Sequence, residues 1–126
     1  MPTITRIDFI PIPTQDAERA TAFYRDTLGL AVEREFPGGT VFFLGHGSLE
    51  VSGAGETGSS PDLVLWLQVR DLPGALADLK AKGLEPVQDA QRMPWGLDEA
   101  WIADPDGTRI VLVEVPEGHP IRTDTR

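Results

Sequence analysis

Two segments of the sequence share one layout: residues 16–29 read DAERATAFYRDTLG, and residues 71–83 read DLPGALADLKAKG. Each begins with an aspartate suited to cap a helix, continues with apolar residues at helical spacing, and ends at a glycine suited to follow a helix. Asp16 and Asp71 are 55 residues apart, and Gly29 and Gly83 are 54 apart. The two segments therefore predict two equivalent helices in an internal repeat.

The residues around each helix predict one strand before it and three after it. In the first half, β-branched and apolar runs cover residues 4–12, 31–36, 40–44 and 48–51; in the second half they cover 63–69, 84–88, about 99–103 and 108–115. Glycine and proline turns separate the runs. The predicted fold class is therefore α+β, built from two tandem βαβββ modules. Because either half alone would expose one face of its sheet, we expect the halves to form one continuous mixed sheet.

A single compact domain is expected from the length of 126 residues, which falls in the usual range for one domain. Within it, residues 1–53 form the first module and residues 54–61 form a Gly/Ser-rich connector. Residues 62–116 form the second module, and residues 117–126 form a polar C-terminal tail.

Composition excludes several classes of function. The 11 basic and 20 acidic residues give a formal charge of −9, which disfavours nucleic acid and anionic membranes as partners. The absence of cysteine excludes disulfides, thiolate metal sites and cysteine nucleophiles. No apolar run approaches the ~20 residues of a membrane span, and the N-terminus lacks a signal-peptide apolar region. A cytoplasmic location is expected.

Three motifs give the sequence a family resemblance. FYRDTLGL at residues 23–30, Trp95-Gly96, and DPDG at residues 104–107 resemble the vicinal oxygen chelate superfamily of glyoxalase I, bleomycin resistance proteins and extradiol dioxygenases. The resemblance implies a curved mixed sheet around a cleft, with the helices on its convex face. Because many members are dimers, a homodimer is also implied.

The resemblance also implies where a metal ion would bind. Metal-dependent members hold a divalent ion with one side chain from the first and last strand of each module. These positions correspond to Phe9, Glu50, Val64 and Val111, of which only Glu50 carries a ligating atom. No metal site and no cofactor are therefore predicted. A divalent metal is the alternative, bound by unusual ligands such as His46.

Aromatic side chains dominate the expected cleft. Strand residues alternate between two faces, which places Trp66 with Gln68 and Arg109 with Val111, but alternation leaves the orientation of Phe42 and Phe43 undecided. Large aromatic faces stack on planar ligands and attract cations. The predicted ligand-binding residues are Phe9, Phe42, Phe43, Glu50, Trp66, Gln68, Trp95, Trp101, Arg109 and Val111.

The favoured function is a metal-free small-molecule-binding protein, similar to bleomycin resistance proteins, that sequesters a planar or cationic ligand. One alternative is a lyase, isomerase or dioxygenase of the same superfamily. Such an enzyme would depend on a metal held by atypical ligands, or would use Glu50 as a catalytic base without a cofactor. A third is a dimer with a structural or regulatory role.

Overall fold

A computed structural model of the chain describes residues 3–4, 9–45, 47–53 and 63–118. The predicted connector, His46 and the last eight residues of the tail lie outside these ranges, as does most of the first half of the predicted first strand. The chain divides into two compact units, Met1–Ser59 and Ser60–Arg126, here called module 1 and module 2. Within the described ranges, no helix is both long and apolar enough to cross a membrane.

Module 1 has the predicted order of elements. Strand β1 (Phe9–Pro13) is followed by helix α1 (Ala17–Ala22), which continues as a π-helical turn (Phe23–Thr27). Strands β2 (Val32–Phe36), β3 (Gly39–Leu44) and β4 (Gly47–Ser52) complete the module. The sheet order is β1-β4-β3-β2, with β1 parallel to β4 and the other pairs antiparallel. Its two prolines suit β1 to this edge position, because proline has no N–H to donate to a second neighbour.

Helix α1 covers one face of the module 1 sheet. Its N-terminus is capped as predicted, because the Asp16 side chain accepts a hydrogen bond from the Arg19 backbone N–H at 3.1 Å. The Thr21 hydroxyl donates to the Thr40 hydroxyl at 3.0 Å. The fully buried rings of Tyr24 and Phe42 lie 6.1 Å apart. Thr40 and Phe42 therefore point towards the helix.

Module 2 repeats this architecture. Strand β5 (Val64–Gln68), helix α2 (Leu72–Ala81) and strands β6 (Gln88–Arg92), β7 (Asp98–Ala103) and β8 (Arg109–Glu114) follow in that order. Its sheet order, β5-β8-β7-β6, is equivalent to that of module 1. The α+β class and the two βαβββ modules, each a four-stranded mixed sheet with one helix, are confirmed. The arrangement of both sheets around one cleft stays a prediction.

The start of helix α2 is fixed by two carboxylates. The Asp71 side chain accepts from the Gly74 backbone N–H at 3.0 Å, and Glu114 Oε1 accepts from the Leu72 backbone N–H at 2.7 Å. Pro73, which lies between Leu72 and Gly74, has no N–H to donate. The first three helical residues therefore leave no backbone donor without a partner. The bond from Leu72 to Glu114 also ties α2 to the end of β8.

The predicted position of the sixth strand, residues 84–88, is wrong. The Leu84 N–H instead donates to the Leu79 carbonyl at 2.9 Å, which closes the end of α2. The first backbone bond to β7 runs from the Val87 N–H to the Trp101 carbonyl at 2.7 Å, and the strand itself is Gln88–Arg92. An apolar leucine that completes a helix end looks in sequence like the first residue of a strand.

The turn between β7 and β8 sets the pairing of these two strands. Asp104 Oδ1 accepts from the backbone N–H groups of Asp106 at 2.9 Å and Thr108 at 2.8 Å. Gly107 adopts a φ of 88°, a conformation that glycine adopts without steric strain. This turn places Trp101 of β7 directly opposite Val111 of β8.

Candidate functional site

The candidate site lies on the face of the module 2 sheet that is opposite to helix α2. In the strand register, Trp66 of β5, Val111 of β8 and Trp101 of β7 lie side by side. Directly paired residues of adjacent strands point to the same face, so these three side chains form one row. Their neighbours along the strands, such as the buried Leu112 and Ala100, point to the helix side.

Two further rows flank the tryptophan row. On one side the register aligns Val64, Arg109 and Ala103, and on the other it aligns Gln68, Val113 and Glu99. Successive rows are two residues apart along the strands, which is about 6.6 Å. We call these three rows the aromatic face, consisting of Val64, Trp66, Gln68, Glu99, Trp101, Ala103, Arg109, Val111 and Val113.

The spacing of the tryptophan row suits a planar ring system. Trp66 and Trp101 are two strands apart, so their backbones are separated by about 10 Å. A planar ring stacked at van der Waals distance on both sides needs about 7–8 Å. Val111, between the two tryptophans, is short and buried, whereas Trp66 is 51% exposed. The row therefore has the width to hold one planar ring between two indoles.

A planar cation already stacks in this row. The guanidinium carbon of Arg109 lies 4.5 Å from the centroid of the Trp101 ring. Such a contact is worth about 0.5–1 kcal/mol at an exposed site. Arg109 itself is exposed on β8. The Trp101 ring is thus presented in a geometry that attracts flat, positively charged groups.

Glu99 is a buried residue of the aromatic face that is absent from the predicted site. It is 1% exposed, and its Oε2 accepts a hydrogen bond from the indole N–H of Trp95 at 2.6 Å. Within the described ranges, no Lys or Arg nitrogen lies within 4.0 Å of its carboxylate. The alternation that placed other strand residues would have put Glu99 on the face of Trp101, two residues along β7.

Two buried N–H groups next to this row have no hydrogen-bond partner among the residues that the structure describes. They are Trp101 Nε1 and Gln88 Nε2, and the two residues are directly paired across β7 and β6. Buried polar groups in native proteins usually have partners. These two donors are therefore available to hydrogen-bond a ligand at the aromatic face or its edge.

In module 1, Glu50 lies on the face opposite to helix α1. The register aligns it with Pro11 and Val41, and its half-buried carboxylate accepts from the Ser52 hydroxyl at 3.0 Å. Phe43 is on the same face and is 55% exposed.

The register decides between the two adjacent phenylalanines. Phe42 has no exposed surface and packs against Tyr24 on the helix side, so it belongs to the core and not to the predicted ligand surface. Phe9 begins β1 and pairs with Ser48, which is also the partner of Phe43.

The residues at the family's metal positions do not fit a divalent ion. Val64 and Val111 present hydrocarbon side chains on the aromatic face, and Phe9 has no ligating atom. Within the described ranges, no group of three or more His, Asp or Glu residues is placed to hold a metal. Glu50 alone supplies one carboxylate, which is too few ligands for a divalent cation. His46 lies outside the described ranges.

Two concave cavities lie on the helix sides of the modules, away from the aromatic face. The cavity in module 2, of about 290 Å³, is lined by Arg92, Asp98, Leu72 and Glu114. Arg92 donates two hydrogen bonds to Asp98, and chiefly through these bonds it lowers the pKa of the Asp98 carboxyl. Glu114 accepts from the Leu72 backbone N–H, so each of these three charged groups already has a hydrogen-bond partner.

The module 1 cavity, of about 460 Å³, is lined by Glu18, Arg25 and Glu35 among others. Arg25 is paired with Asp26 at 2.8 Å, and this bond raises the pKa of the guanidinium. Phe36 also lines the module 1 cavity, but neither cavity is lined by a tryptophan. We therefore place the candidate site on the aromatic face.

Comparison with known proteins identifies a family match. The model of the Glyoxalase/Bleomycin resistance protein/Dioxygenase superfamily matches residues 6–112. A search of curated protein sequences gave no match.

Solved structures share the fold at low sequence identity. The antibiotic-binding protein TnmS3 from Streptomyces sp. CB03234 has a TM-score of 0.79 and 24% identity, over 92% of this chain and 100% of that chain. A putative glyoxalase family protein from Bacillus anthracis has a TM-score of 0.78 and 21% identity, over 92% and 99%. Lactoylglutathione lyase from Agrobacterium tumefaciens has a TM-score of 0.74 and 20% identity, over 90% and 96%. At these identities the likeness extends to the fold and not to the activity.

Proposed function

We propose that this chain, which belongs to the glyoxalase, bleomycin resistance protein and dioxygenase superfamily, is a small-molecule-binding protein. It holds a planar ligand between Trp66 and Trp101 on the aromatic face of module 2. The observation that carries the proposal is the stacking of the Arg109 guanidinium on Trp101, in the same row as the half-exposed Trp66. Because the Trp101 ring already stacks against a flat guanidinium, it is suited to stack against a planar ligand.

The proposal includes no metal ion. Phe9, Val64 and Val111 replace the ligating side chains that metal-dependent members need, so binding relies on stacking, burial and a few polar contacts. The ligand is bound stoichiometrically and is released unchanged. A small-molecule ligand is in keeping with the shared fold of TnmS3, whose name describes an antibiotic-binding protein. We also propose that the chain forms a homodimer, which light scattering coupled to size-exclusion chromatography would test.

The binding test uses tryptophan fluorescence. Titration with proflavine, a planar three-ring cation, is expected to quench the emission of the wild-type protein with a saturable curve. Trp66→Ala should weaken binding by about tenfold, because one stacking contact is worth about 1–3 kcal/mol per ring. Trp66→Phe is the matched control, since it keeps an aromatic face at the same position, and it should retain most of the affinity.

Three results would contradict the proposal. A panel of planar cationic and neutral dyes could give no saturable quenching, or Trp66→Ala could bind as tightly as the wild type. Protein purified without chelator could also contain a stoichiometric divalent metal that Glu50→Gln removes. Chromatography of the recovered dye tests for turnover, because a binding protein returns it unmodified.

A further inference from the structure

Glu99 is a buried acid on the aromatic face with a neutral hydrogen-bond partner. It is 1% exposed, and the single hydrogen bond of its side chain within the described ranges comes from the Trp95 indole N–H at 2.6 Å. That bond occupies Oε2, and Oε1 accepts none from the residues described. Burying a carboxylate without a cation is costly in free energy. Such a group is retained most readily where it has a second task.

A comparison within the same strand hairpin shows what a structural carboxylate looks like. Asp104 is also buried, at 6% exposed, and it accepts two backbone N–H bonds, from Asp106 and Thr108, that close the turn. These bonds give Asp104 a structural role in the turn. Glu99 closes no turn. To hold the Trp95 ring alone, a glutamine would accept the same hydrogen bond without the cost of a buried charge.

The position of Glu99 relative to the tryptophan row places it beside a stacked ring. Glu99 is two residues from Trp101 on β7 and points to the same face, about 6.6 Å along the strand. A planar ligand in the Trp66–Trp101 row would therefore direct one edge towards Glu99. Gln68 and Gln91 lie in the same register row as Glu99, so this edge of the site is polar.

Charges are unequal at the two edges of the row. Arg109 enters from one edge and Glu99 lies at the other, so the electrostatic potential becomes more negative towards Glu99. Within the described ranges, no basic side chain neutralises Glu99. A ligand nitrogen that carries both a positive charge and an N–H would form a charge-assisted hydrogen bond there.

We propose that Glu99 selects planar ligands that carry a protonated ring or amino nitrogen, which donates to its second carboxylate oxygen, Oε1. The inference rests on the proposed function, because it assumes that a planar ligand stacks in the Trp66–Trp101 row. It specifies that the ligand is positively charged and names Glu99 as the residue that recognises this charge.

The test compares two three-ring probes of similar shape at pH 7: proflavine, which is cationic, and acridone, which is neutral. The wild-type protein should bind proflavine at least tenfold more tightly than acridone. Glu99→Gln, which keeps an acceptor for Trp95 but removes the charge, should reduce proflavine affinity about tenfold and change acridone affinity less than twofold. Glu85→Gln is the matched control, because it removes the same charge from an exposed position of module 2, and both affinities should be unchanged.

The outcomes separate this inference from the proposed function. If neither probe binds the wild type, the proposed function and the inference both fail. If both probes bind the wild type equally, stacking holds and charge selection by Glu99 is overturned, a result that needs no variant. Equal losses for both probes in Glu99→Gln would show that Glu99 only positions Trp95. An equal loss of proflavine affinity in Glu85→Gln would assign the preference to net charge, and would also overturn the inference.

Discussion

Removal of the Arg109 guanidinium should increase affinity for a planar cation. In the structure this group stacks on Trp101 at 4.5 Å, which is where a stacked ligand would lie. A ligand must displace it, and the lost contact is subtracted from the binding free energy. Arg109→Ala removes this competitor, together with a positive charge that repels cationic ligands.

The size of the effect follows from the contact. An exposed cation–π pair is worth about 0.5–1 kcal/mol, which corresponds to about a two- to fivefold change in the dissociation constant. The same contact stabilises the folded protein, so Arg109→Ala should lower the free energy of unfolding by a similar amount. Gain of affinity and loss of stability should therefore appear together.

The assay is tryptophan fluorescence titration with proflavine, combined with urea denaturation of the same samples. Arg109→Lys is the matched control: it keeps the charge but replaces the flat guanidinium with a compact ammonium, so it should give a smaller gain than alanine. A loss of proflavine affinity in Arg109→Ala would refute the reasoning, because it would mean that Arg109 contacts the bound ligand. Unchanged affinity combined with unchanged stability would show that the stacking contributes nothing.

Two further predictions concern the stability of module 2. Hydrogen bonds from Arg92 lower the pKa of the Asp98 carboxyl below its usual value, so this ion pair stabilises the folded state above about pH 4 and loses its effect as the pH falls through the lowered pKa. The difference in unfolding free energy between the wild type and Asp98→Asn should therefore be small at pH 7, since Arg92 is exposed, and should decrease further in urea denaturation at increasingly acid pH. A difference independent of pH would contradict this prediction. Asp71→Ala should lower the free energy of unfolding by about 1 kcal/mol in urea denaturation, because it removes the N-terminal cap of α2. Asp71→Asn, which keeps a capping oxygen, should retain most of the wild-type stability. Equal destabilisation by both variants would show that capping is not the cause.

The helices and their caps were predictable because they depend on nearby residues. Asp16 and Asp71 each bond to a backbone N–H three residues along the chain, so the sequence alone contains both partners. The same holds for the turn in which Asp104 bonds to Thr108. Together with the strand alternation, these local signals were sufficient for the order of the elements in the two βαβββ modules.

The sixth strand shows where local signals fail. Leu84 completes the end of α2, and the strand Gln88–Arg92 consists of polar and charged residues apart from Ala90. That composition does not predict a strand. β6 lies at the edge of its sheet and is held there by hydrogen bonds to β7. Such a strand is determined by its partner more than by its own side chains.

The sequence was likewise enough to predict one part of the candidate site, while another part required the tertiary structure. Alternation along single strands was enough to place Trp66 with Gln68, and Arg109 with Val111, since the direction of each side chain follows from its position in the strand. The sequence could not assign Phe42 to the core and Phe43 to the opposite face, because the ends of β3 and its register with β4 were needed.

Only the tertiary structure aligned Trp66, Val111 and Trp101 across three strands and buried Glu99 beside Trp95. Alignment between strands that are distant in the chain depends on their register, and burial depends on everything packed around a residue. The sequence therefore determined the repeated modules and which residue types each strand presents, while the assembled sheet decided which of them meet to form a site.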